Sequence, residues 1–284
     1  MEKWIYLLGG GVLGTAARFV LSRVDEQARM IQRQGEAIVL RVWPFQEADL
    51  LVSLFTREQG RVKGVARHAL RSRRRFGGAL EPMTYVRATY TERPQQELVG
   101  LDAFEILSSP LSRPTDYPRT AALQLVADVV AAALPEQAPD DAVFRLALSV
   151  LEEIQVGRVS LPVTYFALWM NRLMGWMPEL GHCVVCGLDL RGATVWYSAT
   201  SDGVTCPDDR RTESIALSAE STGIAVQIFR GKVKELAKEQ WQKEKLASLQ
   251  RFAIDTLERH LERKLASARA LVRIGKVSLP QNQS

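Results

Sequence analysis

Short apolar runs separated by turn residues dominate residues 31 to 107. Glu36–Val42 (EAIVLRV) and Asp49–Thr56 (DLLVSLFT) have the length and β-branched or aromatic content of strands. Gln59-Gly60 is a hairpin turn signal, which places Arg61–Ala66 on a third strand. Met83–Thr91 predicts a fourth strand and Gln96–Leu107 a fifth, ending in Phe104-Glu105-Ile106-Leu107. Five short strands with a long loop between the third and fourth predict a small closed barrel of the OB type. An SH3-like barrel gives nearly the same pattern.

From Pro110 the period changes to that of helices. Thr115-Asp116-Tyr117-Pro118 offers a cap and an early proline, and the apolar run Ala121–Leu134 continues that helix. Pro135–Asp141 reads as a connector, followed by helices over Ala142–Ile154 and Pro162–Leu173. In the latter, Phe166, Trp169, Met170 and Leu173 recur at helical spacing, a core stripe. Trp241–Leu271 predicts one long helix with Leu246, Leu249, Ala253, Leu257, Leu261 and Leu265 along one side. Its charges, Arg251, Arg259, Arg263, Lys264 and Arg269, read as a solvated face. The fold class expected is therefore α+β. An N-terminal five-stranded OB-fold barrel (31–107) precedes an α-helical domain (108–284) with a zinc-ribbon-like knuckle inserted at 183–209.

Residues 4–21, WIYLLGGGVLGTAARFVL, form an apolar run interrupted only by Arg18. Gly9, Gly11 and Gly14 match a dinucleotide-binding fingerprint, but Asp25 and Glu26 come too early and no second strand intervenes, so that reading fails. Eighteen residues is near the lower limit for a membrane-spanning helix. Gly9 to Phe19 resembles the first transmembrane segment of CrcB-type fluoride channels, but no further span follows. The preferred expectation is that residues 1–30 are a non-native extension, from a gene fusion or a start called too early, with Met30, just ahead of the first strand, as the candidate true start. A membrane tether is the competing one.

Composition sharpens this outline at two places. The chain has 284 residues and a net charge of +5, while residues 61–75 alone carry +7, so the remainder is slightly acidic. Arg61, Lys63, Arg67, Arg71, Arg73, Arg74 and Arg75 lie on the third strand and the loop after it, with no acid among them. Like charges this close repel one another, and a polyanion relieves the repulsion. A solvated basic loop without a partner is the plain alternative. Nearby aromatics (Trp43, Phe45, Phe76 and Tyr85) tilt the reading toward nucleic acid as stacking platforms, although each is equally a core residue by type.

The second place is the cysteines. Cys183-x-x-Cys186-Gly187 is followed, after a ribbon-like spacing, by Cys206-Pro207-Asp208-Asp209. Two residues between ligands let one tight turn present both to a tetrahedral ion, and Gly187 permits the turn's left-handed backbone. Cys183, Cys186, Cys206 and Asp209 are the candidate zinc ligands, with Asp208 and His182 as substitutes for the fourth. Metal binding and a metal-free knuckle with inert thiols both fit. Three cysteines, two of them in Cys-x-x-Cys, favour a reducing compartment over a disulfide framework. The deaminase signature, a Walker A loop, a Ser-His-Asp set and a thioredoxin-like context are all missing, so the chain does not read as an enzyme.

Taken together, these segments resemble the RecO family of bacterial recombination mediators. The resemblance rests on Glu36–Arg41, Glu47–Gly60, Gly64–Pro82, Tyr165–Leu173, Gly175-Trp176-Met177-Pro178, the Cys-x-x-Cys-Gly knuckle and Leu257–Leu261, and spans roughly residues 31–271. It departs at Asp209, where the family pattern has a fourth cysteine, and in the first 30 residues. The resemblance implies a non-enzymatic, cytoplasmic, nucleoid-associated DNA repair protein. It would bind single- and double-stranded DNA, anneal strands held by single-strand-binding protein, dock that partner's acidic tail on the helical domain, and act with RecR to load RecA. Carried over, Arg67, Arg71, Arg73, Arg74 and Arg75 would face the DNA. A membrane-tethered interaction protein and a general RNA- or DNA-binding OB protein are the alternatives.

Overall fold

A computed structural model describes residues 30–72 and 74–277 of the chain, with side chains through Leu271. The apolar run at 4–21 and Arg73 lie outside the described residues. Five strands, β1 (Ile31–Gln46), β2 (Asp49–Thr56), β3 (Gly60–Ala66), β4 (Tyr85–Glu92) and β5 (Val99–Ser108), close a barrel in the order β1-β2-β3-β5-β4. All neighbours are antiparallel except β3 and β5, which pair in parallel from Gly64↔Val99 to Ala66↔Leu101. That order, closed by β1 against β4, is the OB arrangement and decides between the two barrels the sequence allowed.

β1 is longer than its apolar centre predicted. Its first half pairs with β4 and its second with β2, and irregularities between Val39 and Arg41 and between Pro44 and Gln46 bend it around the barrel. Inside, Val39, Val52, Leu54, Val86, Ala88 and Leu101 are buried. The β2–β3 hairpin turns where Gln59-Gly60 predicted, with Thr56 opposite Gly60.

Behind the barrel stand α1 (Tyr117–Ala133), α2 (Asp141–Gln155), α3 (Ser160–Leu173), α4 (Ala219–Arg230), the single turn α5 (Val233–Leu236), α6 (Lys243–His260) and α7 (Ala266–Val277). Asp116 caps α1 by accepting the Arg119 N–H at 2.9 Å, and Asp140 caps α2 through the Val143 N–H at 2.9 Å. The barrel's interior is a core of its own, and one outer flank of the barrel packs into the larger core of the helices. Phe144 of α2 meets Phe55 edge-on with centroids 5.3 Å apart and Tyr85 at 6.3 Å, and Ile38, Leu40 and Met83 join the same cluster. A small sheet, β6 (Val195–Tyr197) between β7 (Val204–Thr205) and β8 (Ile215–Leu217), carries the knuckle.

The single long helix expected over Trp241–Leu271 is two. Glu262 adopts a left-handed backbone (φ 52°), and the buried Glu258 carboxylate accepts the Leu265 N–H at 2.8 Å and Lys264 Nζ at 2.7 Å. A buried acid thus caps the new helix, and hydrophobic spacing gives no sign of it. Four of its five basic residues, Arg251, Arg263, Lys264 and Arg269, are exposed as expected, and one is not. Arg259 is largely enclosed and pairs with Asp202 at 2.7 Å. The turned helix α7 lies on α1, where the buried Asp128 accepts from Gln124 at 2.8 Å, from Ser267 at 2.9 Å and from Arg41 of β1.

Gly60 has φ +68°, and a Cβ there would stand 2.2 Å from the Ala138 carbonyl oxygen. Gly60→Ala is therefore expected to cost about 2 kcal/mol or more, from backbone strain plus displacement of the connector. Denaturant unfolding measures this, and an unchanged midpoint would show that the hairpin does not sit flush against residues 134–141.

Candidate nucleic-acid interface and metal site

The basic run divides into two groups. Arg61, on β3, donates to the Leu134 carbonyl at 2.5 Å and lies 3.6 Å from Glu136, while Lys63 meets the same carboxylate at 2.6 Å. Both are neutralised by the connector between α1 and α2. The loop residues differ. Arg67, Arg71 and Arg74 are exposed, and among the described residues no carboxylate lies within ion-pair distance of them or of Arg75.

Apolar anchors within the loop explain how it presents charge. Phe76 and Ala79 are buried, and Phe76 packs edge-on against Phe104 at 5.5 Å. The Arg75 carbonyl accepts the Phe104 N–H at 2.9 Å, and its guanidinium reaches Ser72 Oγ at 3.1 Å and the Arg67 carbonyl. His68 donates its backbone N–H to Asp49 at 2.7 Å, which ties the loop to the β1–β2 turn. The loop is anchored by buried Ala66 before it and Phe76 near its end, and between them Arg67, Arg71 and Arg74 are exposed.

Beside this loop is an open cleft of about 570 Å³. Arg67, Arg75 and Arg93 line it together with Phe45, and Glu97 and Asp102 are its acids. The Asp102 carboxylate accepts a hydrogen bond from Thr91 at 2.7 Å. The cleft therefore sits between the β1–β2 turn, the loop after β3 and the β4–β5 turn, the part of an OB barrel that binds extended polymers. Of the four aromatics proposed for stacking, Phe76 and Tyr85 belong to the core, whereas Phe45 (45% exposed) and Trp43 (37%) are free. Trp43 borders a second cleft of about 520 Å³ between barrel and helices, together with Arg41, Arg263 and Lys264. Arg93 and the second cleft were not singled out in the sequence, because a lone arginine in a polar turn carries no pattern, and Arg263 was read only as part of a solvated helix face.

The knuckle gathers Cys183, Cys186, Cys206 and Asp209, whose ligand atoms all lie within 4.8 Å of one another. Cys186 Sγ and Cys206 Sγ are 3.8 Å apart, and Asp209 Oδ2 is 3.2 Å from Cys183 and 3.1 Å from Cys206. Gly187 has the left-handed φ (+75°) expected of it. Hydrogen bonding to Asp209 pushes the Cys186 thiol up to about 12 and raises Cys206 as well. Burial opposes ionisation of Cys183, but backbone N–H donors from Cys186, Cys206 and Val185 outweigh it and lower that thiol. Three thiols and a carboxylate converging on one point form a group that could hold a metal ion. Neither substitute ligand belongs to it, and His182 is engaged with Glu179 at 2.6 Å.

Two further sequence motifs meet here as structural joints. Trp176 stacks parallel on His260 at 5.3 Å, and Arg259 holds the Ser201 carbonyl and the Asp202 carboxylate. They fasten the knuckle's loop to α6.

An OB barrel with a cationic loop, backed by a helical body that carries a cysteine knuckle, is an architecture suited to a polyanion-binding protein. Residues 30–110 match the family described as Recombination protein O N terminal, and residues 114–269 match Recombination protein O C terminal. A DNA repair protein RecO from Koribacter versatilis is 50% identical over 239 residues, covering 84% of this chain and 98% of that protein. Those of Syntrophobacter fumaroxidans and Anaeromyxobacter sp. (strain K) are 35% and 31% identical, with 61% and 84% of this chain covered and 69% and 95% of theirs. The chain belongs to the RecO family of DNA repair proteins. Among the described residues, no helix is long and apolar enough to cross a membrane.

The hydrogen bond from Lys63 holds the Glu136 carboxyl below its usual value of 4.5. Because the folded value is the lower one, this tie stabilises the protein above about pH 4.5 and is lost as pH falls through the depressed value. Glu136 is half-exposed, so the effect is at most about 1 kcal/mol. Glu136→Gln should therefore lose less stability than the parent between pH 5 and pH 3 in denaturant titrations. Identical losses would remove the pair from the acid response.

Proposed function

We propose that this chain is a non-catalytic recombination mediator. It binds single- and double-stranded DNA without reading sequence and anneals complementary strands. With RecR it helps to load RecA onto DNA covered by single-strand-binding protein. The observation that carries this reading is the set of exposed arginines 67, 71 and 74, which form no ion pair among the described residues, with Arg67 lining the barrel cleft. Arg73 belongs to the same loop by sequence. Two strands approach each other only if their phosphates are neutralised, and guanidiniums do this whatever the bases are. Phe45 and Trp43 would add sequence-tolerant stacking, worth about 1–3 kcal/mol per base. Arg61 and Lys63 contribute indirectly in this scheme, because Glu136 already holds them.

Support for an acidic protein tail on the helical domain comes from Arg172, whose guanidinium lies 5.4 Å from the Trp169 ring centre and 4.8 Å from that of Phe229. A carboxylate there would meet the exposed Arg172 guanidinium.

The knuckle would hold zinc through Cys183, Cys186, Cys206 and Asp209. Tetrahedral zinc with Zn–S bonds of about 2.3 Å sets its sulfurs about 3.8 Å apart, in agreement with the Cys186–Cys206 separation. Zinc there cross-links the two halves of the knuckle and supplies no reactive chemistry. Metal analysis of protein purified without chelator should give one zinc per chain, and Cys206→Ser should lose the metal and several degrees of melting temperature. A metal-free parent whose melting is indifferent to added zinc would contradict the assignment.

The DNA reading is tested by annealing two complementary strands covered with single-strand-binding protein. A variant with Arg67, Arg71 and Arg74 replaced by alanine should anneal on the order of tenfold more slowly while melting like the parent. Wild-type annealing by that variant would move the interface elsewhere. Preferential retention of RNA in strand competition would favour a general single-strand RNA-binding role instead.

A further inference from the structure

The outer face of the knuckle's sheet has no role in the account so far. Val195 and Tyr197 of β6 point inward and are buried, with Tyr197 edge-on to Phe252 at 4.9 Å. By strand alternation, Trp196 between them projects from the opposite face, and it is only half-buried. Its cross-strand neighbours there, Thr205 on β7 and Ala216 on β8, are small. The indole therefore stands at the centre of a sheet face with low flanks.

Positive charge rims this face. The Arg210 guanidinium lies 5.5 Å from the Trp196 ring centre, and Arg211 follows it; both are exposed. Among the described residues neither forms an ion pair, although the exposed acids Asp208 and Glu213 are close in sequence. The turn that carries Arg211 is closed on itself, with the Arg211 N–H donating to Ser214 Oγ at 3.0 Å and the Ser214 N–H to the Arg211 carbonyl at 3.0 Å. Trp196, Arg210, Arg211, Thr212 and Ser214 enclose an open cleft of about 430 Å³. It shares no residue with the barrel cleft.

We propose that this face is a second binding site for single-stranded nucleic acid. A base stacks on the Trp196–Arg210 pair and an adjacent phosphate meets Arg211. An acidic peptide would satisfy the arginines but has no π-face to stack on the Trp196–Arg210 pair. A nucleotide offers both a π-face and an anion, and bases stack on indole and guanidinium planes alike. The proposal rests on the DNA-binding reading and adds to it a physical means of annealing: one strand in the barrel cleft and another on the knuckle bring two polyanions onto one molecule.

The test uses the full chain and a fluorescent thymidine oligonucleotide of about 15 residues. Trp196→Ala should weaken binding on the order of tenfold, as loss of one stacking partner does. Arg210→Glu with Arg211→Glu, two exposed positions, should do the same without altering the fold. Either variant combined with the loop variant (Arg67, Arg71 and Arg74 to alanine) should abolish the binding that the loop variant retains. Annealing should slow in both knuckle variants. Wild-type affinity and annealing in both would overturn the proposal and leave the barrel reading intact. Loss in the knuckle variants alone, with the loop variant unaffected, would refute the barrel reading and keep this one. An acidic peptide whose binding is lost in the arginine variant, with oligonucleotide binding unchanged, would overturn it in favour of a protein partner.

Discussion

The seam between the barrel and the connector of residues 134–141 determines which parts of this protein are free to act. Phe144 fills the barrel's flank against Phe55, Gly60 lies flush on Ala138, and Arg57 at the hairpin reaches Asp141 at 2.7 Å. The aromatic contact supplies burial, and only a residue without a Cβ permits the close approach. The same approach brings Glu136 up to Arg61 and Lys63. Packing and charge are thereby coupled. The side of β3 that faces the helices is neutralised, and the loop that leaves β3 on the other side keeps its charge.

The helical body extends this logic to its far end. Asp128 gathers Arg41, Gln124 and Ser267, so one buried carboxylate joins β1, α1 and α7. Asn171 of α3 donates to the Ala253 carbonyl of α6 at 2.8 Å, and Trp176, Arg259 and His260 clamp the knuckle's loop. Buried hydrogen bonds in low dielectric fix orientation as well as proximity, even though Arg41 Nε, Asn171 Oδ1 and Arg259 Nε have no partner among the described residues. The knuckle consequently has a defined pose, with Tyr197 inward and Trp196 outward.

Local chemistry carried much of this information. The β2 boundaries, the Gly60 turn, the Asp116 cap and the Gly187 turn all follow from residue type and spacing over a few positions. What escaped depends on partners distant in sequence. Glu136 stands some seventy positions from the two basic residues it quiets, and nothing in either segment advertises the other. Phe45, Trp43, Phe76 and Tyr85 are alike by composition, and only Phe104 and Phe144 decide that the last two are interior. The break between α6 and α7 hinges on a buried glutamate that hydrophobic periodicity counts as surface. Strands of two or three residues, such as β6 to β8, are too short for any period to register.

Charge presented by the loop after β3, with Arg67, Arg71 and Arg74 in no ion pair among the described residues, is the central claim, and the ionic-strength dependence of binding addresses it most directly. Single-strand affinity plotted against salt on logarithmic axes has a slope proportional to the number of phosphates neutralised, about 0.7 per contact. Replacing Arg67, Arg71 and Arg74 by alanine should flatten that slope by about 2. A slope equal to that of the parent would mean that those guanidiniums touch no phosphate.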